Sequence, residues 1–283
     1  MSAEARPFVK MHGLGNDFVI FDGRADGFVP DSRLAAWVAD RHFGVGCDQV
    51  ITLGPSARAD LFMHIQNPDG STSGACGNAT RCVADLVLAE KGDTRLSVET
   101  LAGVLPCVRE PDGRITVDMG APRLEWQDIP LSRPMDTLDV DFAVRSPAGF
   151  ELRSPVAVSM GNPHAVFFVA DADAIDLSTI GPVIEHDPLF PERVNVSVAE
   201  VRGRDRIRLR VWERGAGITL ACGSAACATV VAATRRGLID GAAAIEMDGG
   251  VLDLRWGEDD HVTMTGPAVL SFRGTLSLNG AAS

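Results

Sequence analysis

The chain repeats itself. Shifted by 146 residues, Gly15-Asn16 falls on Gly161-Asn162, Gln49 on Asn195, and Cys76-Gly77 on Cys222-Gly223. Between these points Leu61, Met63 and Ile65 lie over Ile207, Leu209 and Val211. With one residue added the match continues, Val98-Glu99 lying over Ile245-Glu246 and Thr116 over Thr263. A spacing kept so far along both halves marks a duplicated structural unit. At 283 residues the chain is long enough for two domains.

The first half is expected to span residues 1–121 and to be completed by a C-terminal strand at 267–283; the second spans 122–266. Each half runs through the same elements. Short alternating strands (Val9 to Asp22; Val156 to Ala170) precede a helical segment, Asp31 to Asp40 in the first half and a looser one near Asp173 to Ile180 in the second. A further strand leads to Ala75-Cys76-Gly77 or Ala221-Cys222-Gly223, where a helix begins, about Asn78 to Glu90 and Ser224 to Arg236. Both helices are small and apolar nearly all round, so each should be buried within its own half. Gly92 and Gly237 suit their ends. The fold class is therefore α+β: two pseudo-symmetric domains, each a β-sheet or barrel wrapped around a central helix, with the active site expected in the cleft between them.

Composition narrows the function. The net charge is −12, against a nucleic-acid footprint. The nearest basic run, Arg202, Arg204, Arg206, Arg208 and Arg210, has period 2 and reads as the wet face of one half-buried strand. No stretch is long enough to span a membrane, and no secretory signal opens the chain. Six cysteines without a signal are expected to stay reduced thiols in the cytoplasm.

Cys76 and Cys222 each stand where a buried helix starts. Amide N–H groups and the positive dipole end there favour a thiolate, lowering a thiol pKa from about 8.5 toward neutrality. The same amides, at Gly77, Asn78, Gly223 and Ser224, can hold a carboxylate. Inverting a stereocentre without redox chemistry takes a proton from one face and returns one to the other. Two thiols, one charged and one neutral, can do this in either direction. The amides would meanwhile stabilise the charge developing on the carboxylate. A cysteine in an Ala-rich helix is ordinarily just a small buried side chain, which suffices for Cys47, Cys82, Cys107 and Cys227. No metal is expected, because the cysteine spacings lack a C-x₂-C pair and no histidine pair stands near. A Cys/His nucleophile using His164 leaves the duplicated cysteine unexplained. Pyridoxal phosphate needs a lysine, and neither Lys10 nor Lys91 has a convincing phosphate-binding context.

At these residues the sequence resembles the diaminopimelate epimerase family. The resemblance runs nearly end to end, through Lys10-Met-His-Gly-Leu-Gly-Asn-Asp-Phe18, Asp48-Gln49, Asn67-Pro-Asp-Gly-Ser71, Cys76-Gly-Asn-Ala-Thr-Arg-Cys82, Gly161-Asn-Pro-His-Ala165, Asn195-Val196, Glu213-Arg-Gly215 and Ala221-Cys-Gly-Ser224. It implies interconversion of L,L- and meso-diaminopimelate without cofactor, in lysine and cell-wall precursor biosynthesis, by a homodimer. It makes Cys76 and Cys222 the acid/base pair and assigns the reacting carboxylate to Gly77, Asn78, Gly223 and Ser224. Asn16, Gln49, Asn67, Asn162, Asn195, Glu213 and Arg214 would bind the rest of the substrate, with His164 and Glu213 tuning the cysteines. Phe272 occupies a position linked to dimer contacts. Ala79 and Ala225 stand where the family commonly has glycine, and Cys47 where alanine is common.

Arg214 has no cationic counterpart, since Pro68 occupies its place in the first half. A lone guanidinium beside a symmetric centre suits a substrate with a distant second carboxylate. The alternative is a proline or hydroxyproline racemase-like enzyme with the same two-cysteine chemistry. A binding protein without turnover would have no reason to keep both cysteines.

Overall fold

A computed structural model describes residues 5–145 and 149–278; the ends of the expected first half, 1–4 and 279–283, lie outside it. The chain divides into two compact units, Met1–Val117 with Gly266–Ser283, and Asp118–Thr265.

The first unit contains β1 (Ala5–Gly13), β2 (Asn16–Asp22), α1 (Ser32–Ala39), β3 (Gln49–Gly54), β4 (Leu61–Gln66), α2 (Gly77–Lys91), β5 (Arg95–Thr100), β6 (Gly103–Arg109) and β7 (Ile115–Asp118). The second contains β8 (Ala143–Arg145), β9 (Glu151–Arg153), β10 (Val156–Ser159), β11 (Pro163–Val169), α3 (Leu177–Glu185), β12 (Asn195–Gly203), β13 (Arg206–Glu213), β14 (Gly217–Ile218), α4 (Gly223–Arg235), β15 (Ala242–Met247), β16 (Gly250–Trp256) and β17 (Val262–Gly266). The last strand, β18 (Val269–Ser277), returns to the first unit and pairs antiparallel with β1, Ala5 opposite Ser277.

The duplication holds at the level of register. β2 runs parallel to β3 with Phe18 opposite Gln49, and β11 parallel to β12 with His164 opposite Asn195. Leu61 on β4 faces Val98 on β5, and Ile207 on β13 faces Ile245 on β15, both pairs again parallel. In each unit the central helix packs against strands from well-separated parts of the sheet: α2 against β1, β2, β5 and β6, and α4 against β10, β11, β12, β15 and β16. That is why both helices are apolar nearly all round: Val83, Ala84 and Val87 in α2, and Ala226, Val230 and Val231 in α4, are fully buried. The architecture is α+β and sheet-dominated, as expected.

Two local expectations need correction. The arginine run is not one strand. Arg202 lies on β12, Arg204 in the turn and Arg206, Arg208 and Arg210 on β13, so period 2 carried across a hairpin. Most of these side chains pair with acidic neighbours, Arg204 with Asp240 and Arg208 with Asp173 and Asp248. The looser helix of the second half starts later than Asp173, because Asp176 caps it through the Thr179 amide, and it runs on through Pro182 to Glu185. Among the described residues no helix is long and apolar enough to cross a membrane.

Candidate active site

Within the first unit, the sheet brings three amide side chains to one end. Asn16 opens β2, Gln49 opens the parallel β3, and Asn67 follows the antiparallel β4. Gln49 Nε2 donates to Asn67 Oδ1 (3.0 Å) and Asn67 Nδ2 to Ser71 Oγ (3.0 Å). The start of α2 joins Asn16. Cys76 is the N-cap, extended at φ −153 and ψ 106, and its Sγ accepts from the Ala79 amide at 3.5 Å. The Cys76 thiol also lies 3.9 Å from Asn16 Oδ1, which accepts from Asn78 Nδ2 at 3.1 Å. Gln49 Oε1 is buried without a hydrogen-bond partner, an open acceptor.

The second unit repeats the arrangement with different partners. Cys222, the N-cap of α4 at φ −122 and ψ 111, is 5% exposed. Its Sγ lies 3.5 Å from Ser224 Oγ, which accepts from Asn162 Nδ2 at 3.3 Å. Asn162 Oδ1 meets His164 Nε2 at 2.9 Å. Burial, with Arg214 adding to it, pushes His164 down to about 3, so the ring is neutral and Nε2 donates. His164 Nδ1 is then a bare acceptor, buried without a partner.

Cys222 departs from the thiolate expected at a helix start. Burial pushes its thiol well up, and the Glu213 carboxylate beside it works the same way; Ser224 and the Ala225 amide oppose them and lose. The dipole end of a helix contributes too little to offset full desolvation of a thiolate. The thiol therefore keeps its proton in the ligand-free chain, with Glu213 close by. Cys82 and Cys47 are also raised by burial, to about 12 and about 11.

Glu213, at the end of β13, accepts from Thr219 Oγ1. Arg214 is anchored through its backbone, its amide donating to Asn195 Oδ1 (3.0 Å), while Asn195 Nδ2 donates to the Pro163 carbonyl (2.9 Å). The Arg214 side chain is exposed, and Nη1 donates to the Glu192 carbonyl at 3.0 Å. Gly77 and Gly223 are buried at the first position of each helix. Phe272 belongs to neither cluster; it stands on β18, edge-on to Phe8 at 6.0 Å.

One residue of consequence had no signal in the sequence. Glu185, 2% exposed, ends α3 and accepts from Trp212 Nε1 (2.7 Å) and the Gly215 amide (3.0 Å), with Arg193 at 3.7 Å. It grips both sides of the Glu213-Arg214 pair. Gly181 makes the approach possible, since a Cβ there would stand 2.5 Å from the Trp212 ring. Glu185→Gln sets an amide donor against one of these N–H donors. It is expected to cost about 1–3 kcal/mol, read as a lower urea midpoint, and to raise KM more than it lowers kcat.

Comparison with known proteins gives the family. The family profile described as Diaminopimelate epimerase matches residues 8–125 and 156–271. A diaminopimelate epimerase of Rhodospirillum centenum is 58% identical over 275 residues, covering 96% of this chain and 92% of its own. One from Acidiphilium cryptum is 55% identical, covering 97% of each chain. The chain belongs to the diaminopimelate epimerase family. Among solved structures, a hydroxyproline epimerase from Agrobacterium vitis superposes with a TM-score of 0.72 at 15% identity, covering 99% of this chain and 95% of its own. A PhzF-family phenazine biosynthesis protein of Bacillus anthracis gives 0.67 at 17%, covering 96% and 99%. These two share the duplicated fold. In this diaminopimelate epimerase family member, Ala79 and Ala225 are fully buried in the first turns of α2 and α4.

Proposed function

We propose that this isomerase interconverts L,L- and meso-diaminopimelate without cofactor, Cys76 and Cys222 serving opposite faces of one α-carbon, in lysine and cell-wall precursor biosynthesis. The observation that carries the mechanism is the placement of one cysteine at the N-cap of each central helix, beside buried N-terminal amides. One thiolate takes the α-proton while the other thiol delivers its own, and the roles exchange in the reverse direction. Amides of Gly77, Asn78, Gly223 and Ser224 hold the reacting carboxylate and steady the charge that develops on it. The Glu213 carboxylate beside the raised Cys222 thiol gives its proton a place to go. Arg214 receives the distal carboxylate. Asn16, Asn67, Asn162, Asn195 and Gln49 read the remaining polar groups, Gln49 Oε1 and His164 Nδ1 offering unpartnered acceptors.

The hydroxyproline or proline racemase alternative is not favoured, because the likeness there is one of fold at 15% identity against 58% to a diaminopimelate epimerase. A homodimer is part of the proposal, supported by the exposed apolar side chains Val269, Leu270 and Phe272 on β18. Its location is proposed to be the cytoplasm, in keeping with a biosynthetic enzyme whose six cysteines are free thiols.

Incubation with L,L-diaminopimelate in D₂O, with no cofactor added, is expected to yield meso product carrying deuterium at the inverted α-carbon. Recovery of unlabelled L,L-substrate alone would refute the assignment.

A further inference from the structure

The two halves differ at a place that the cysteines do not explain. Asp48 falls on Val194 in the repeat and Arg81 on Cys227, so the first unit holds two charged side chains where the second holds two apolar ones, both fully buried. Those two charges stand at the ends of one chain of hydrogen bonds. Arg81, 0% exposed in α2, donates from Nη2 to Asn78 Oδ1 at 3.0 Å. Asn78 Nδ2 donates to Asn16 Oδ1 at 3.1 Å, and Asn16 Nδ2 donates to Asp48 Oδ2 at 2.9 Å.

A guanidinium can only donate and an ionised carboxylate can only accept. With one at each end, both amides between them must point the same way. The ends are themselves fixed. Asp48 pairs with Arg41 at 2.7 Å and accepts from the Asp17 amide at 3.1 Å. Arg81 passes against β1 where Gly13 leaves room, a Cβ there standing 2.9 Å from Nη2. The second unit, lacking both charges, turns the equivalent amide round. Asn162 directs Nδ2 to Ser224 and gives its oxygen to the neutral His164.

We infer that Arg81 and Asp48 are positioning residues that hold the Asn16 carbonyl oxygen toward Cys76, so that matching cysteines meet unlike surroundings. An acceptor beside a thiol favours the S–H form. Ser224 accepts from Asn162, which leaves its own O–H for the Cys222 sulfur and works toward the opposite form, against the burial and the Glu213 carboxylate that keep that thiol protonated. This rests on the two-cysteine reading for its bearing on turnover, but the relay itself is a property of the ligand-free protein.

The test is therefore made without substrate, as iodoacetamide alkylation of each cysteine resolved by mass spectrometry, with Cys222 in the same sample as reference. Asp48→Asn removes the acceptor-only end and lets Asn16 turn. The Cys76-to-Cys222 rate ratio is expected to rise at least about threefold, and Asp48→Glu to restore it toward the wild-type value. In an Asn16→Ala background Asp48→Asn should leave the ratio unmoved. Arg81→Lys breaks the other end and gives an independent reading, the ratio excluding any general loosening. An unchanged ratio in Asp48→Asn, or the same change with and without Asn16, overturns the relay. Wild-type turnover of diaminopimelate is followed separately. Its absence ends the functional reading while the relay stands on the ratios; unmoved ratios end the relay while turnover stands.

Discussion

Cys76→Ala and Cys222→Ala are each expected to lower epimerisation of diaminopimelate by at least about a hundredfold, and Cys82→Ala to leave it nearly intact. The contrast comes from placement. Cys82 lies in the interior of α2, fully buried and beyond the first-turn amides. Cys76 and Cys222 cap their helices beside the amides of the first turn. With proton removal and return on opposite faces, neither cysteine can stand in for the other, and the double variant should be scarcely worse than either single one. Near-normal epimerisation by either single variant ends the two-base mechanism.

Arg214→Lys is expected to lower kcat/KM on diaminopimelate at least roughly tenfold. A charge-assisted contact from Arg214 to the distal carboxylate should contribute about 1.5–3 kcal/mol, and an ammonium cannot reproduce the guanidinium fork. The structure supports this division of labour. The backbone of Arg214 is tied to Asn195, while its side chain is exposed and rests on the Glu192 carbonyl. A substrate analogue without the distal carboxylate should be poor with the wild type and little worsened by the substitution. Equal harm to both substrates would point instead to Arg214 serving the fold around Asn195, to which its backbone is tied. The assignment of a two-headed substrate would then lose its support.

Much of this is legible in the sequence. The duplication follows from one spacing, and it reappears as equal strand registers around Gln49 and Asn195. The two central helices begin and end within a residue of where glycine and apolar content put them. Period alone misled at the arginine run, because alternation is blind to a tight turn that happens to keep its phase. Helix-start chemistry misled at Cys222, because the field at an N-terminus is local and additive whereas desolvation depends on every strand packed over the thiol. Glu185 was silent for a related reason. A glutamate ending a helix is ordinary in sequence, and only the fold shows it buried against Trp212 and the Gly215 amide. Asp48 and Arg81 lay inside quoted motifs, but their role depends on which way two amides point between them.

The return of β18 to β1 also fixes an order of events during synthesis. Asp118–Thr265 is one unbroken stretch and has all its own strands once it has left the ribosome. Ala5–Gly13 is made before that stretch, and its partner Val269–Ser277 only after it. The older segment therefore waits with one strand edge open until Val269–Ser277 has been made, and closing it spans the whole of the second unit, a slow kind of pairing. For that interval the nascent chain presents an unpaired backbone ladder, the kind of surface that chaperones shield and that aggregates recruit. Losing β18 would strip the first unit of its edge strand, while Asp118–Thr265 keeps its own strands.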